Sequence, residues 1–428
     1  MTNSLKMYQA VDSYWYDKVP SHWKKTKNKY VFNQNKHVVG ENWKSLTLLT
    51  MGKSGVKPRN MDDGGKFPAS FENYQTVEPN QLIFCLFDLD ETPRTIGISK
   101  DYGMITSAYD VFSTTESNDP NFWTYFYQML DDQKGLRPFY TGLRKVVRSE
   151  TFMGIELFSP PLEEQKLISC YLDKKTMQID RLVEQIQKKT ELLKEQRISL
   201  INKSITKGLY PTVEMKESGV EWIGKVPKNW KVKKIKHLSI VKRGSSPRPI
   251  DDPKYFDNNG EYSWVRISDV TASGKYLEKT KEKLSELGSS LSTKIEKGDI
   301  FLSIAGSVGK PIITSIKCCI HDGFVWFEDL KVNIDFLFYV FLQGTCFQGL
   351  GKLGTQLNLN TDTVGDVYLP VPNHNEQMNI VKKLEKKLLQ IQKCLDLETL
   401  RLKRLQEYRQ SLIFSAVTGK FRISEDMI

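Results

Sequence analysis

Residues 222–231 read WIGKVPKNWK, and residues 15–24 read WYDKVPSHWK. Both spell W-x-x-K-V-P-x-x-W-K, offset by 207 residues in a chain of 428. Two tryptophans, a proline and two lysines held in register mark an internal repeat, which decides the fold before any single element is read. A second phrase repeats downstream. Ser159-Pro-Pro-Leu-Glu-Glu-Gln165 and Pro370-Val-Pro-Asn-His-Asn-Glu-Gln377 each introduce a long polar-apolar run. Aligning Glu164-Gln165 with Glu376-Gln377 sets an offset of 212 that holds without a gap until Ile205-Thr206 meets Val417-Thr418. The stretch between the two phrases changes length from copy to copy, whereas the runs do not.

Each run predicts a long helix. Leu172, Ile179, Ile186, Leu193 and Leu200 recur every seven residues, as do Leu384, Ile391, Leu405 and Leu412, with Glu398 standing where the first copy has Ile186. A parallel row, Leu388, Leu395 and Leu402, completes the pattern of a coiled-coil seam. Ser159 is the expected cap of the first helix, with Pro160 at its first position, and Asn373 with Glu376 forms a capping-box-like pair for the second. Gly208 followed by Pro211, and Gly419, are the expected stops. At ~1.5 Å per residue, 42 residues make a rod of about 63 Å.

Short aromatic and β-branched runs precede each rod. Leu82–Phe87, Asp299–Ile304 and Phe324–Phe327 read as strands, and Asn121–Leu130 and Ile334–Phe341 as helices. The expected architecture is α+β: a mixed α/β domain over 1–160, a helical spacer over 161–208, a second domain over 209–372, a second spacer over 373–420 and a tail over 421–428. Antiparallel pairing of the two rods relates the domains by a pseudo-twofold axis. That is the symmetry of a dimeric DNA reader built into one chain, with rod length as a ruler between half-sites.

The net charge of +11 favours a polyanionic partner, and the helical runs carry most of the excess. No run of about 18 apolar residues predicts a membrane span, and the N-terminus lacks a signal-peptide core, so a cytoplasmic protein is expected. Cys85, Cys170, Cys318, Cys319, Cys346 and Cys394 contain no C-x-x-C and are expected as free thiols. The five histidines have no ligand spacing, so no metal site is expected.

Three lookalikes fail on chemistry. Gly349-Leu-Gly-Lys-Leu-Gly354 fits G-x-G-x-x-G but lacks the flanking strand, helix and distal acid of a dinucleotide site. Gly306-Ser-Val-Gly-Lys310 is too short for a phosphate loop and ends in Pro311, so it reads as a turn between strands. Ser159-Pro-Pro-Leu162 lacks the asparagine with which adenine methyltransferases hold the target amine.

ESGVEWIGKVPKNW at 217–230 resembles the phrase that opens target recognition domains of type I restriction-modification specificity subunits. PPLEEQ at 160–165 and LPVPNHNEQ at 369–377 resemble the phrase that closes them, and Thr206-Lys-Gly208 and Ala416-Val-Thr-Gly419 resemble the ends of the helical spacers. The likeness runs through nearly the whole chain, twice. The first copy departs from it in reading DSYWYDKVP at 12–20. The resemblance implies two target recognition domains, each reading one half of a split double-stranded DNA target. It implies helices that dock two modification (adenine methyltransferase) subunits, joined by restriction/translocase subunits. It also implies no catalytic site in this chain: S-adenosylmethionine, ATP and Mg belong to the partner subunits. The alternatives are a coiled-coil scaffold, or a fragment of a single-chain restriction and methylation enzyme.

Bases are read by Arg, Lys, Asn and Gln, while other basic groups hold phosphates. Lys242-Arg-Gly-Ser-Ser-Pro-Arg248 resembles the family's basic loop near the start of the domain, and Lys53-Ser-Gly-Val-Lys-Pro-Arg59 is its expected counterpart in the first copy. Gly351-Lys-Leu-Gly-Thr-Gln-Leu-Asn358 resembles a second family loop, with Gly142–Arg148 in the matching place. The candidate DNA-binding residues are therefore Lys53, Lys57, Arg59, Arg144, Arg148, Lys242, Arg243, Arg248, Lys352, Gln356 and Asn358.

Overall fold

The computed structural model describes residues 8–52, 55–60, 68–209, 212–348, 350 and 359–428. Residues 1–187 with 399–428 form one compact unit, and residues 188–398 form another. Each unit holds an α/β module together with a segment of each long helix.

In the first unit an antiparallel sheet runs in the order Phe32–Asn35, Asp110–Thr114, Leu82–Phe84, Ile96–Ile98. Alternation sends Phe32, Phe84 and Phe112 to one face. There they meet Trp123, Tyr127 and Phe152 in a fully buried aromatic cluster. Trp123 and Tyr127 come from the helix Pro120–Asp132, which contains the expected segment. Asp119 starts that helix by accepting the Phe122 N–H at 2.8 Å, with Pro120 in the first turn. The buried Tyr127 hydroxyl donates to Asn28 Oδ1 at 2.6 Å, so its polar atom enters the core satisfied.

In the second unit a five-stranded sheet runs Ile240–Arg243, Phe324–Glu328, Ile300–Ser303, Pro311–Thr314, Tyr276–Leu277. A four-stranded sheet runs Glu282–Lys283, Ser263–Val265, Cys318–Ile320, Thr293–Ile295. Each contains one parallel pair, so both are mixed. The helix Ile334–Leu342, capped by Asn333 Oδ1, covers the larger sheet with Phe336, Leu337, Val340 and Phe341. The turn expected at 306–310 is present, with Gly306 and Gly309 both at positive φ. All six cysteines are free, and Cys318 and Cys319 are buried strand residues.

The two runs are helices at Leu162–Lys207 and His374–Val417. In the first unit Arg409 pairs with Asp180, and Tyr171 meets Phe421 at 6.0 Å. In the second, Lys189 pairs with Glu398 at 2.7 Å and Arg197 donates to Gln392 at 3.5 Å. Numbering rises on one segment as it falls on the other, so the helices run antiparallel within each unit. Leu172, Ile179, Ile186, Leu384 and Ile391 are buried as the seven-residue spacing expects.

Two start signals are corrected. Ser159 does not cap the first helix, because it ends the strand Glu156–Ser159, paired with Lys24–Lys27, and the helix begins at Leu162. Asn373 does cap the second, accepting the Glu376 N–H at 2.9 Å. The Glu376 carboxylate, however, is committed to Trp230 rather than to a reciprocal capping box. Pro211, the expected stop after Gly208, lies outside the described residues.

Candidate nucleic-acid interface

The repeated phrases meet in space within each unit. The indole of Trp23 donates to Glu164 Oε1 at 3.2 Å, and that of Trp230 donates to Glu376 Oε1 at 3.0 Å. Both tryptophans are buried, so each indole N–H needs its acceptor. The neighbouring glutamines are buried too. Gln165 accepts from Asp119 N at 2.9 Å and donates to Pro160 O at 2.9 Å, and Gln377 accepts from Asn333 N at 2.7 Å and donates to Pro372 O at 2.9 Å. Thus the closing phrase clamps the opening phrase with its glutamate and the cap of the domain helix with its glutamine. Gly208 and Gly419 end the long helices at positive φ, and a Cβ at either would press on the Trp230 or Trp23 ring at 3.0 Å.

A second matched pair fastens each domain helix to its long helix. The Tyr125 hydroxyl donates to Asp173 at 2.7 Å, and the Tyr339 hydroxyl donates to Glu385 at 3.3 Å. Burial pushes the Tyr339 hydroxyl up to about 12, so it stays a donor. Glu385 also holds Lys275, which reaches Asp335 at 2.6 Å and is only 15% exposed. Burial alone would lower the Lys275 pKa, but the Asp335 and Glu385 carboxylates outweigh it and raise it. These contacts fasten each domain helix to its long helix.

Among the candidate residues, the structure brings Arg243 and Arg248 together. Arg243 Nε donates to Asp322 O at 2.6 Å, and Arg248, 79% exposed, reaches Asp322 Oδ2 at 3.3 Å. Their loop lies tight on the 321–323 turn, where a Cβ on Gly244 would sit 2.2 Å from His321 O. His321 is held down in pKa mainly by burial, and its Nδ1 accepts the Gly323 N–H at 2.9 Å. Arg266, exposed and paired with Glu282, lowers it further. Sequence reading missed Arg266, whose only local signal was its place after the apolar strand Ser263–Val265. Lys242 faces the other side of its strand, with Glu328 at 2.6 Å and the Trp326 ring at 5.8 Å.

In the first unit Arg144 sits in a tight turn closed by paired Thr141 and Val146 backbones. It is 70% exposed, lies over Phe87 at 5.4 Å and pairs with Asp88 at 2.8 Å. That hydrogen bond lowers the Asp88 pKa. Arg148 is exposed at the start of the short helix Ser149–Gly154. Lys57 is exposed on the strand Gly55–Pro58, and Arg59 follows it. Lys53, Lys352, Gln356 and Asn358 lie outside the described residues.

Strand order gives the counterpart of the strand that leads into the 242–248 loop. In the second module Lys242 and Arg243 pair with Trp326 and Val325, which pair in turn with Phe301 and Leu302. In the first, Gln34 and Asn35 pair with Phe112 and Val111, which pair with Leu82 and Ile83. By strand order Phe32–Asn35 holds the place of Ile240–Arg243, while residues 55–58 belong to a separate hairpin with Leu49–Gly52. Among the described residues, no group of three or more His, Cys, Asp or Glu is placed to hold a metal, and no helix is long and apolar enough to cross a membrane.

Residues 227–406 match the family described as "Type I restriction modification DNA specificity domain". The chain is 26% identical over 306 residues to the type I restriction enzyme MjaVIII specificity subunit of Methanocaldococcus jannaschii, covering 66% of each chain. It is 23% identical over 275 residues to the putative type I restriction enzyme MjaX specificity subunit of the same organism, covering 62% of this chain and 59% of that one. The chain thus spans no more than about two thirds of the length of these relatives. In fold it resembles a chain solved for the complex assembly and conformational transition of the type I R-M system. That likeness has a TM-score of 0.72 and 14% identity, over 94% of this chain and 99% of the other. It also resembles the HsdS subunit of Thermoanaerobacter tengcongensis, with a TM-score of 0.58 and 15% identity, over 94% and 98%.

Proposed function

We propose that the chain is a specificity subunit of a type I restriction-modification complex, that it reads DNA for that complex, and that it performs no catalytic step itself. Each α/β module binds one half of a split double-stranded target, and the long helices set the unread gap between the halves. The observation that carries this reading is the doubling of one anchoring scheme: Trp23–Glu164 with Tyr125–Asp173, and Trp230–Glu376 with Tyr339–Glu385. Two modules fastened alike but carrying different loops suit two different half-sites.

The helices also offer a surface for protein partners. Met177, Leu182, Leu192 and Ile198 on the first, and Leu389, Leu397, Leu400 and Tyr408 on the second, are exposed in spite of their apolar side chains. Two modification subunits dock there, bringing S-adenosylmethionine, and restriction subunits join with ATP and Mg. Arg243 and Arg248 in the second module, and Arg144 and Arg148 in the first, are proposed DNA contacts. Lys53, Lys57, Arg59, Lys242, Lys352, Gln356 and Asn358 remain candidates on sequence grounds.

A methylation map of cells holding this chain with its methyltransferase, against cells lacking only this chain, tests the proposal. A split motif bearing methyladenine is expected in the first cells alone. Identical maps, with the purified complex selecting no motif from random DNA, would overturn it.

A further inference from the structure

The first module's loop at 36–40 has no role in the anchoring scheme, yet it leaves the sheet where the Arg243–Arg248 loop leaves it in the second. Both sheets share one strand order: Phe32–Asn35, Asp110–Thr114, Leu82–Phe84, Ile96–Ile98 against Ile240–Arg243, Phe324–Glu328, Ile300–Ser303, Pro311–Thr314. Phe32–Asn35 and Ile240–Arg243 are the matching edge strands, each antiparallel to its neighbour. From this we infer that Lys36 and His37 contact duplex DNA and help set the first half-site. The inference rests on the DNA-reading function proposed above and assigns its first-module surface.

Three features support it. Lys36, His37 and Val38 are all exposed, and among the described residues neither Lys36 nor His37 forms an ion pair. Their backbone is nonetheless fixed: Thr76 N donates to His37 O at 2.9 Å, Val39 N to Tyr74 O at 2.8 Å and Gly40 N to Glu72 O at 3.0 Å. A rigid backbone with outward polar side chains is what base-edge or phosphate contact requires. Finally, the Lys57 hairpin belongs to the opposite edge of the sheet, where Val56 covers Gly97 so closely that a Cβ there would meet it at 2.7 Å. It does not hold the place of the 242–248 loop. Gln34 and Asn35 themselves are engaged internally, with Asp110 at 2.7 Å and Ser113 at 3.4 Å, so contact passes to the residues after them.

The test uses the full chain assembled with its methyltransferase subunits and selection from a random-sequence DNA duplex library. Wild type is compared with Lys36→Ala/His37→Ala, Lys36→Arg, Arg243→Ala/Arg248→Ala and Lys57→Ala/Arg59→Ala. Lys36→Ala/His37→Ala should cut preference for one half of the selected motif by about tenfold, Arg243→Ala/Arg248→Ala should relax the other half, and Lys36→Arg should restore most of the first. Circular dichroism melts matching wild type show that the loss is not unfolding. The inference is overturned if both halves survive Lys36→Ala/His37→Ala, or if only Lys57→Ala/Arg59→Ala erases the first half. A wild-type complex that selects no split motif overturns the parent function and this assignment with it.

Discussion

Trp230 and Glu376 stand 146 residues apart in the chain and 3.0 Å apart in space, joined by one indole N–H. The hydrogen bond ties the first phrase of an α/β module to the last, at the base of its long helix. It repeats as Trp23–Glu164, where His22 adds a contact to the second carboxylate oxygen at 2.6 Å and the second copy has Asn229. Repeated phrases in this chain therefore record anchoring.

Trp230→Ala should be severely destabilising. It empties a fully buried site and leaves Glu376 without its donor, a loss of about 3–5 kcal/mol by analogy with buried aromatic truncations. Glu376→Gln keeps the shape and an acceptor and should cost only about 0.5–1.5 kcal/mol. Urea unfolding of both variants gives the comparison. Equal losses would mean that the carboxylate charge, rather than ring packing, holds the joint.

Much of this was legible in the sequence, and what was not had a common cause. The helix Pro120–Asp132 was legible as a segment over Asn121–Leu130, and the long helices through their heptads. Ser159 misled because a strand partner 135 residues away, Lys24, claims it before the helix begins. The equivalence of the strands Phe32–Asn35 and Ile240–Arg243 was hidden for the same reason. Each is placed by a partner strand far away in sequence, Asp110–Thr114 or Phe324–Glu328, and the two edge strands share no pattern that a linear alignment would see. Arg266 escaped because only the fold brings it beside Glu282 and within electrostatic reach of His321.

Glu398 interrupts the heptad where the first helix has Ile186, and it is buried to 3% exposure against Lys189. Lys189 is itself more than half exposed, so screening weakens the pair, while the carboxylate loses its hydration. Glu398→Leu should restore the seam and raise the melting temperature by a few degrees, a gain of about 1 kcal/mol. A lower melting temperature would show that the Lys189 pair outweighs the packing.

His321 gives the second module a pH dependence of known sign. Burial lowers its folded pKa, Arg266 works in the same direction, and Asp322 opposes both. As pH falls, the unfolded chain takes the proton first, at its ordinary value of about 6.5. The stability is therefore complete above that pH and is lost as pH drops below it. Urea midpoints should fall between pH 7.5 and 5.5, and His321→Asn should flatten that slope. An unchanged slope in the variant would place the titration elsewhere.

The proposed ruler is tested by length. Seven residues added to each long helix, one heptad in register, preserve the seam and add about 10 Å. At about 3.4 Å per base pair, the unread gap should grow by about three base pairs while both half-sites keep their letters. Four residues, about one helical turn, added to the first helix should likewise lengthen the gap without changing either half-site. Methylation mapping reads gap and half-sites together. A heptad insertion that altered the half-site letters would show that the helices shape the reading loops, and the ruler would be wrong.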